Sequence, residues 1–322
     1  MIRALLFLAL LLSTVVPARG DSPEFRVAFG SCVKTPKSII WSSIRSKKPD
    51  VFLFLGDNIY QTPSDFGQAL RIRALYQALL SQPDIMELKR TARVVAVWDD
   101  HDFEDDNADS TAPGAAVSLR EFRLAWPDNP SPPPALDASV ASELTEDGVR
   151  ILLLDSRTYR RNPGGAERPI LFGSAQLEWI DSALRNPNAR VVILASGTPW
   201  LARGAKIGGP AESVTQYPEE EARIHAAVAA SPVPVVLISG DRHYAEAIKT
   251  RIGTKEVFEI SASPLSAPPE DSRKVLPESG RLFSAVGPQN FAVVTIGAGE
   301  QPSINAEFFG ADGKTLFRTE IR

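Results

Sequence analysis

Short runs of apolar residues, rich in β-branched and aromatic side chains, recur along the chain. Runs of this kind, about four to eight residues long, predict buried strands. They fall at Phe25 to Phe29, Val51 to Leu55, Val94 to Trp98, Val149 to Leu154, Val191 to Ala195, and Val235 to Ser239. Apolar residues at helical spacing lie between several of them, at Thr35 to Lys47, Asp65 to Leu80, and Ser174 to Leu184. This alternation of strands and helices predicts an α/β fold.

The last part of the chain has a different pattern, with strands that follow one another without helices. These strands are predicted at Phe258 to Ser261, Phe291 to Ile296, Ile304 to Phe309, and Thr315 to Ile321. The residues from Gly310 to Gly313 have the composition of a hairpin turn. We therefore expect an antiparallel or mixed sheet in addition. The proline-rich stretch from Pro127 to Pro134 predicts a surface loop within one domain.

The first twenty residues have the pattern of a signal peptide. Arg3 precedes an apolar run from Ala4 to Leu12, and small residues flank Arg19 at the spacing of a cleavage site. A first buried strand or helix is the alternative, but polar residues begin at Asp21. We predict a secreted or periplasmic protein with a signal peptide at residues 1–20 and one domain at 21–322. No other long apolar stretch occurs, so we expect no transmembrane anchor.

Composition and charge exclude some classes of function. The 322 residues are 43% hydrophobic, which suits one large globular domain or two small ones. The formal charge is −4, and it becomes −6 once Arg3 and Arg19 are removed with the signal peptide. A net acidic protein is a poor candidate for binding nucleic acid. The single cysteine, Cys32, cannot form an internal disulfide, so it is buried, paired between chains, or used chemically.

Residues with chemical function follow five of the predicted strands. In an α/β sheet the carboxyl ends of the strands form the active-site edge, so we expect these residues to meet. After the first strand comes Cys32, and after the second come Asp57 and Tyr60. The third strand leads into Asp99-Asp100-His101-Asp102, and the strand at Val235 to Ser239 leads into Asp241-Arg242-His243. The residues from Ser196 to Trp200 supply hydroxyl and amide groups, and we assign them no role.

Each cluster has a structural alternative. Cys32 on its own is a typical small buried hydrophobe, and Asp57 could cap a helix beside a core tyrosine. A solvated acidic loop would explain the carboxylates around His101 but not the histidine. Carboxylates packed this closely repel one another unless a cation neutralises them. His225, the third histidine, lies in a helix-like polar segment from Glu219 to Val228, and we assign it no role.

These motifs resemble the alkaline phosphatase D (PhoD-like) family, which is related to the purple acid phosphatases and other calcineurin-like phosphoesterases. The resemblance covers most of the mature chain, and the Trp-Asp-Asp-His and Gly-Asp-Arg-His motifs are its most specific part. It extends to three further segments, Leu154 to Arg160, Gln176 to Trp179, and Ser261 to Leu265. Two features depart from the family. Many members carry a β-rich N-terminal domain and a twin-arginine signal, whereas the start of this chain has only Arg3.

The resemblance implies a four-layer α/β/β/α sandwich of two mixed β-sheets flanked by helices, with a binuclear metal site at the sheet edges. Its implied ligands of ferric iron are Cys32, Asp57, Tyr60 and His243. Its implied ligands of the second metal are Asp100, Asp241 and a bridging Asp57, with Asn107 completing the site. The resemblance also implies that His101 acts beside the metals.

The donor types give an independent test of this assignment. A thiolate, a phenolate and three carboxylates carry five formal negative charges, which a trivalent and a divalent ion would balance. Sulfur, phenolate and imidazole suit iron, and an all-oxygen site suits Ca²⁺, Mg²⁺ or Mn²⁺. The predicted cofactor is therefore Fe³⁺ plus Ca²⁺, with Mg²⁺ or Mn²⁺ as alternatives at the second site.

The function expected from these residues is hydrolysis of a small phosphate mono- or diester. Hydroxide activated by the metals would attack phosphorus, with His101 as general acid and Asp100 beside it. Arg157 and Arg242 are candidates for binding the phosphate. One rival is a non-catalytic extracytoplasmic metal- or phosphate-binding protein that retains the fold. The other is an α/β domain with acidic loops and no metal.

Overall fold

The computed structural model describes residues 24–321 except 204, 207–208, 211, 273–274 and 276. The predicted signal peptide, residues 1–20, lies outside the described residues, so the division into residues 1–20 and 21–322 stays a prediction. No helix in the described ranges is long and apolar enough to cross a membrane.

The secondary-structure elements are numbered in chain order. The strands are β1 (Glu24–Gly30), β2 (Val51–Leu55), β3 (Arg93–Val97), β4 (Ser142–Glu146), β5 (Val149–Leu154), β6 (Val191–Ser196), β7 (Ala205–Lys206), β8 (Gly209–Pro210), β9 (Val235–Ser239), β10 (Ala245–Ile252), β11 (Lys255–Ser261), β12 (Arg281–Ala285), β13 (Asn290–Gly297), β14 (Ile304–Gly310) and β15 (Thr315–Ile321). The α-helices are α1 (Ile40–Ser46), α2 (Ala69–Leu80), α3 (Pro83–Thr91), α4 (Asp100–Phe103), α5 (Ala115–Ala125), α6 (Gly173–Arg185) and α7 (Pro218–Ala230). Short 3₁₀ helices lie at Pro134–Leu136 and Val214–Gln216.

Two mixed sheets form the centre of the molecule. The first has the strand order β15-β14-β13-β1-β2-β3, and the second has the order β12-β10-β11-β9-β6-β5-β4. In the first sheet β1, β2 and β3 are parallel, and the C-terminal strands add to β1 in antiparallel fashion. In the second sheet β5, β6, β9 and β11 are parallel, with antiparallel strands at both edges. The parallel strands therefore form one side of the first sheet, with β3 at its edge, and the middle of the second sheet.

Three apolar layers hold the sheets and helices together. One core joins the facing surfaces of the two sheets, and it contains Leu53 of β2 and Ile193 of β6. A second core lies between the first sheet and helices α1, α2, α3 and α5. A third lies between the second sheet and helices α6 and α7. The order of layers is therefore helix, sheet, sheet, helix, which confirms the predicted α/β/β/α sandwich of two mixed β-sheets.

Strand β2 has no polar position along its length. Val51, Leu53 and Leu55 face the other sheet, whereas Phe52 and Phe54 face the helices. Successive side chains of a strand point to opposite faces, and here both faces are covered. All five residues are therefore buried. A continuous apolar run is the signal expected for a strand between two covered faces.

Several elements were not predicted from the sequence pattern. Strands β4 and β10 have charged residues at several positions, and strand β12 and helices α3 and α5 were also not predicted. Two helices are shorter than predicted, because α1 begins at Ile40 rather than Thr35 and α2 begins at Ala69 rather than Asp65. The preceding residues form turns instead, and the Asp65 carboxylate accepts hydrogen bonds from the backbone and hydroxyl of Thr62.

The carboxyl ends of the central strands from both sheets meet at one edge of the sandwich. The backbone N–H of Asp241, after β9, donates to the Ser31 hydroxyl, after β1, at 3.1 Å. The backbone N–H of Gly240 donates to the carbonyl of Gly197, after β6, at 3.0 Å. The backbone N–H of Cys32 donates to the carbonyl of Gly56, after β2, at 3.2 Å. These contacts bring together loops that are far apart in sequence.

Candidate metal centre

Cys32, Asp57, Tyr60 and His243 form one group of donor atoms at this edge. The Cys32 Sγ lies 3.6 Å from the Asp57 Oδ2. The Tyr60 hydroxyl lies 3.3 Å from the same carboxylate oxygen and 3.2 Å from the His243 Nε2. Ligand atoms of Cys32, Asp57 and His243 all lie within 4.8 Å of one another. The structure thus brings together the four residues expected to hold the first metal.

Asp57 also belongs to a second group, with Asp100 and His101. Ligand atoms of these three residues likewise lie within 4.8 Å of one another. The backbone N–H of His101 donates to Asp57 Oδ1 at 3.3 Å and to Asp100 Oδ1 at 2.9 Å. A ring nitrogen of His101 is therefore as close to the carboxylates as a metal ligand would be. The Asp57 carboxylate is shared by the two groups.

Asp241 and Asn107 lie beside these groups in a different way. The backbone carbonyl of Asp241 is 3.8 Å from the Cys32 Sγ, and its side chain belongs to neither group of ligand atoms within the described residues. The backbone N–H of Asn107 donates to Asp100 Oδ2 at 2.8 Å. Its side-chain amide donates to exposed Asp106 instead. Both residues border the site, but the geometry does not place their side-chain donor atoms in it.

The backbone at this edge adopts conformations that side chains disfavour. Within the described residues, eight non-glycine positions have positive φ, and five of them are predicted ligands: Cys32, Asp57, Asn107, Asp241 and His243. Their φ values lie between 51° and 65°. Left-handed conformations are uncommon for non-glycine residues and concentrate at functional sites. The strain marks the same residues that the sequence motifs selected.

Glycines allow the loops to close around Asp99, which lies behind the donor groups. A Cβ on Gly56 would lie 2.4 Å from the Asp99 Cβ, and Gly56 has a φ of +86°. A Cβ on Gly197, from the other sheet, would lie 2.6 Å from the Asp99 Cγ. A side chain at Gly56 would therefore push apart the loops after β2 and β3, and a side chain at Gly197 would force the loops of the two sheets apart.

The protonation equilibria of the donors reflect burial among like charges. Burial raises the pKa of the Cys32 thiol to about 12, and the charge of Asp241 adds to the effect. Burial, followed by the charge of Asp100, raises the pKa of Asp57 well above its ordinary value. The pKa of Tyr60 is raised for the same reasons, by burial and then by the charges of Cys32 and Asp57. A bound cation would oppose all three shifts, because it stabilises the charged ligands.

Asp100 behaves differently because a cation of the protein lies close to it. Burial acts to raise its pKa, but the Arg157 guanidinium and His101 outweigh burial, and the pKa lies below its ordinary value. The guanidinium Nη2 lies 3.8 Å from Asp100 Oδ2. Asp100 is therefore held as a carboxylate, the form that can bind a metal.

The donor set fits a pair of metal ions. Ligands bound to one ion at about 2.0–2.3 Å must lie within roughly 4.6 Å of one another, which is close to the spacing found here. Sulfur, phenolate, imidazole and carboxylate donors in one group match the preferences of iron. The buried Nδ1 of His101 makes no hydrogen bond within the described residues. The arrangement has both the donors and the uncompensated negative charge that cations would satisfy.

Comparison with known proteins agrees with this geometry. Residues 146–294, just under half of the chain, match the family model described as PhoD-like phosphatase. None of the curated proteins compared with the sequence matches it. The fold is similar to that of the solved structure of PhoD, with a TM-score of 0.69, 17% identity, and coverage of 94% of this chain and 73% of that one. Residues 146–294 are therefore similar to PhoD-like phosphatases, and the chain shares the fold of PhoD.

Two other solved structures share the fold of this chain. One is purple acid phosphatase PPD1 from yellow lupin (Lupinus luteus), with a TM-score of 0.65, 12% identity and coverage of 95% of this chain. This chain spans only 55% of that enzyme. The other is GAP50, described as the anchor in the inner membrane complex of Plasmodium, with a TM-score of 0.53 and 11% identity. The match with GAP50 covers 94% of this chain and 89% of that one. These likenesses show the fold, and the family match of residues 146–294 indicates similarity to phosphatases.

The two arginines expected to bind phosphate are both buried. Arg157 has no exposed surface, and its guanidinium pairs with Asp99 and Glu212. Arg242 is 4% exposed, and its Nη2 donates to the Tyr244 hydroxyl. The Nε and Nη1 atoms of Arg242 have no hydrogen-bond partner within the described residues. The contacts favour a structural role for Arg157, whereas Arg242 keeps free donors.

Two residues that support the donor groups received no role from the sequence. The Ser263 hydroxyl donates to the Cys32 Sγ at 3.1 Å and accepts from the backbone N–H of His243 at 3.0 Å. Asp102 accepts from the backbone N–H groups of Asn58 and Asp99, each at 3.1 Å. Ser263 lies in one of the segments that carry the family resemblance, and this was the feature of the sequence that could have indicated its role.

Asp155 has a supporting role of the same kind. It accepts the indole N–H of Trp98 at 2.8 Å and the backbone N–H of Val140 at 2.9 Å. The backbone N–H groups of Arg157 and Thr158 also donate to its carboxylate. The carboxylate therefore shapes the turn that carries Arg157.

Replacing Asp57 with Asn tests the site as a metal centre. The metal-free variant should be at least as stable as the wild type, with a gain of roughly 1–2 kcal/mol, because one buried negative charge is removed. The variant should lose the rise in unfolding temperature that saturating metal gives the wild type. Thermal unfolding with and without metal measures both effects. The exposed Asp181→Asn is the control and should keep the full shift; an Asp57→Asn protein that also kept it would contradict the assignment.

Proposed function

We propose that the chain is an exported metallophosphatase or phosphodiesterase that hydrolyses a small phosphate mono- or diester at a two-metal site. The observation that carries this proposal is the position of Asp57, whose carboxylate belongs to both groups of donor atoms. A carboxylate shared by two ligand sets can bridge two metal ions, which supports a binuclear centre. The same fold occurs in GAP50, which is described as an anchor, so the fold alone does not establish catalysis.

The assignment of ligands follows the two groups. Cys32, Asp57, Tyr60 and His243 would hold a ferric ion, and Asp57 and Asp100 would hold a second ion, Ca²⁺ or alternatively Mg²⁺ or Mn²⁺. Asp241 and Asn107 remain proposed ligands of the second ion. In the described geometry they border the site through their backbone groups.

The metals, when bound, would supply a nucleophile at neutral pH and neutralise charge on the phosphate oxygens. Residues of the chain would supply the proton for the leaving group. His101 is half-buried, and its ring packs against that of Tyr60 with centroids 4.3 Å apart. This contact, together with its backbone bonds to Asp57 and Asp100, holds the imidazole beside the position of the reacting group. His101 is therefore proposed as the general acid that protonates the leaving oxygen.

Binding of the phosphate group needs donors outside the metal ligands. Arg242, with its unpartnered Nε and Nη1, remains the proposed arginine contact. The geometry favours a different role for Arg157, whose guanidinium is buried against carboxylates.

Turnover with and without metal tests the function. The purified protein should hydrolyse nitrophenyl phosphate or bis-nitrophenyl phosphate, and a chelator should abolish the activity, which metal should restore. Elemental analysis of the same sample identifies the ions. A protein that binds metal but turns over neither ester would favour the alternative, a non-catalytic extracytoplasmic metal- or phosphate-binding protein. A sample that contains no metal and shows no activity would contradict both the proposed function and this alternative.

The substitution His101→Ala separates an acid from a metal ligand. As a general acid, His101 should contribute about 10²–10⁴-fold to turnover of alkyl esters and much less for nitrophenyl esters, whose leaving group needs no proton. Metal content should stay unchanged. Equal loss on both substrates, together with loss of metal, would instead make His101 a ligand.

Export is proposed from the pattern of residues 1–20, with residues 21–322 as one mature domain. Expression of the full sequence in a bacterial host should give a secreted or periplasmic protein whose N-terminus lies near residue 21. N-terminal sequencing and fractionation provide the measurement. A cytoplasmic protein that retains residues 1–20 would contradict this part of the proposal.

A further inference from the structure

Arg157 is the cation of the chain that lies directly behind the predicted metal ligands. Its Nε donates to Asp99 Oδ1, and its Nη2 lies 3.8 Å from Asp100 Oδ2. Within the described ranges no other lysine or arginine forms an ion pair with either carboxylate. A buried carboxylate without a cation beside it would be strongly disfavoured. Arg157 therefore offsets part of the negative charge of the loop after β3.

The guanidinium of Arg157 is held in one orientation by hydrogen bonds from all three of its nitrogen atoms. Its Nη2 donates to Glu212 Oε2 at 2.7 Å, and its Nη1 donates to Glu212 Oε1 at 3.2 Å. The same Nη1 donates to the carbonyl of Ala108 at 3.1 Å. Paired bonds between a guanidinium and a carboxylate fix the plane of the group as well as its position. The side chain has no exposed surface, so it has no face left for substrate.

Glu212 is distant from Arg157 in sequence, and its carboxylate is largely buried. It lies just before the 3₁₀ helix at Val214–Gln216 and is 9% exposed. Its carboxylate also accepts from the guanidinium of Arg160, which is 1% exposed. A carboxylate buried between two arginines links the segment after β6 to the loops after β3 and β5.

We propose that the Arg157–Glu212 pair positions the metal ligand Asp100, with Glu212 setting the plane of the guanidinium and the guanidinium holding Asp99, Asp100 and the carbonyl of Ala108. This inference rests on the proposed two-metal function. Partners that orient metal ligands typically contribute 10- to 100-fold to metal affinity. The pair is thus a set of positioning residues, and neither member touches the substrate.

Two substitutions separate positioning from charge. Arg157→Lys keeps the positive charge but removes the paired hydrogen bonds, so any loss of metal affinity reports lost orientation. Glu212→Gln removes a negative charge and one half of the pair, and both effects act to weaken cation binding. Glu121→Gln is the matched control, because Glu121 is also a buried carboxylate paired with arginine, Arg73, between helices α2 and α5.

The experiment titrates metal-free full-length protein with Mn²⁺ by calorimetry, alongside urea unfolding of each variant. Arg157→Lys and Glu212→Gln should weaken Mn²⁺ binding about 10- to 100-fold, and saturating Mn²⁺ should restore most of any lost turnover. The control should lose stability but keep wild-type Mn²⁺ affinity. Glu212→Asp, which keeps the charge, provides a second variant if Glu212→Gln does not fold.

The outcomes distinguish this inference from the proposed function. Folded variants that bind Mn²⁺ as tightly as the wild type would overturn the positioning role and leave the two-metal site intact. Loss of affinity in the Glu121→Gln control as well would show a general effect of stability and would also overturn it. A wild-type protein that binds no Mn²⁺, Ca²⁺ or iron would overturn the proposed function and the inference together.

Discussion

Negative charge confined at the meeting edge of two sheets is the constraint on which the rest of this structure depends. Asp57, Asp99 and Asp100 are buried within a few ångströms of one another, and Cys32 and Tyr60 lie against them. Such a cluster is costly unless positive charge compensates it. Bound cations can supply that charge on the open side, and Arg157 supplies it on the buried side. The same charges that destabilise the metal-free protein thus make the edge suited to binding cations.

The scaffold around this edge is organised to tolerate that cost. Three apolar cores fix the central strands, so the loops at their ends start from rigid positions. Glycines at 56 and 197 then let loops from opposite sheets approach Asp99 more closely than any side chain would permit. Left-handed backbone at Cys32, Asp57 and His243 turns their side chains toward one another. Packing elsewhere in the molecule stabilises conformations that these loops would not adopt alone.

Exposed and buried ion pairs in this protein have different roles. Many join exposed side chains, such as Arg185 with Asp181 on α6, and pairs of that kind contribute little to stability. The Arg157–Glu212 pair is buried and connects three separate loops. Buried pairs are not efficient stabilisers, because desolvation cancels much of the attraction. Their value lies in geometry, since a guanidinium held in one plane holds its neighbours as well.

The sequence by itself determined the central strands and the chemical groups at their ends. Strands covered on both faces are mostly apolar, and the bounds of β2, β5 and β9 could be predicted to the residue. Ligand-type residues that directly follow such strands are local features, as in the motif around His101. Only the tertiary structure decided how Arg157 is used, because its partner Glu212 is remote in sequence and no local pattern links them. Strands β10 and β12 also depended on tertiary packing, since charged residues along β10 and the edge position of β12 weaken the apolar signal that would reveal them.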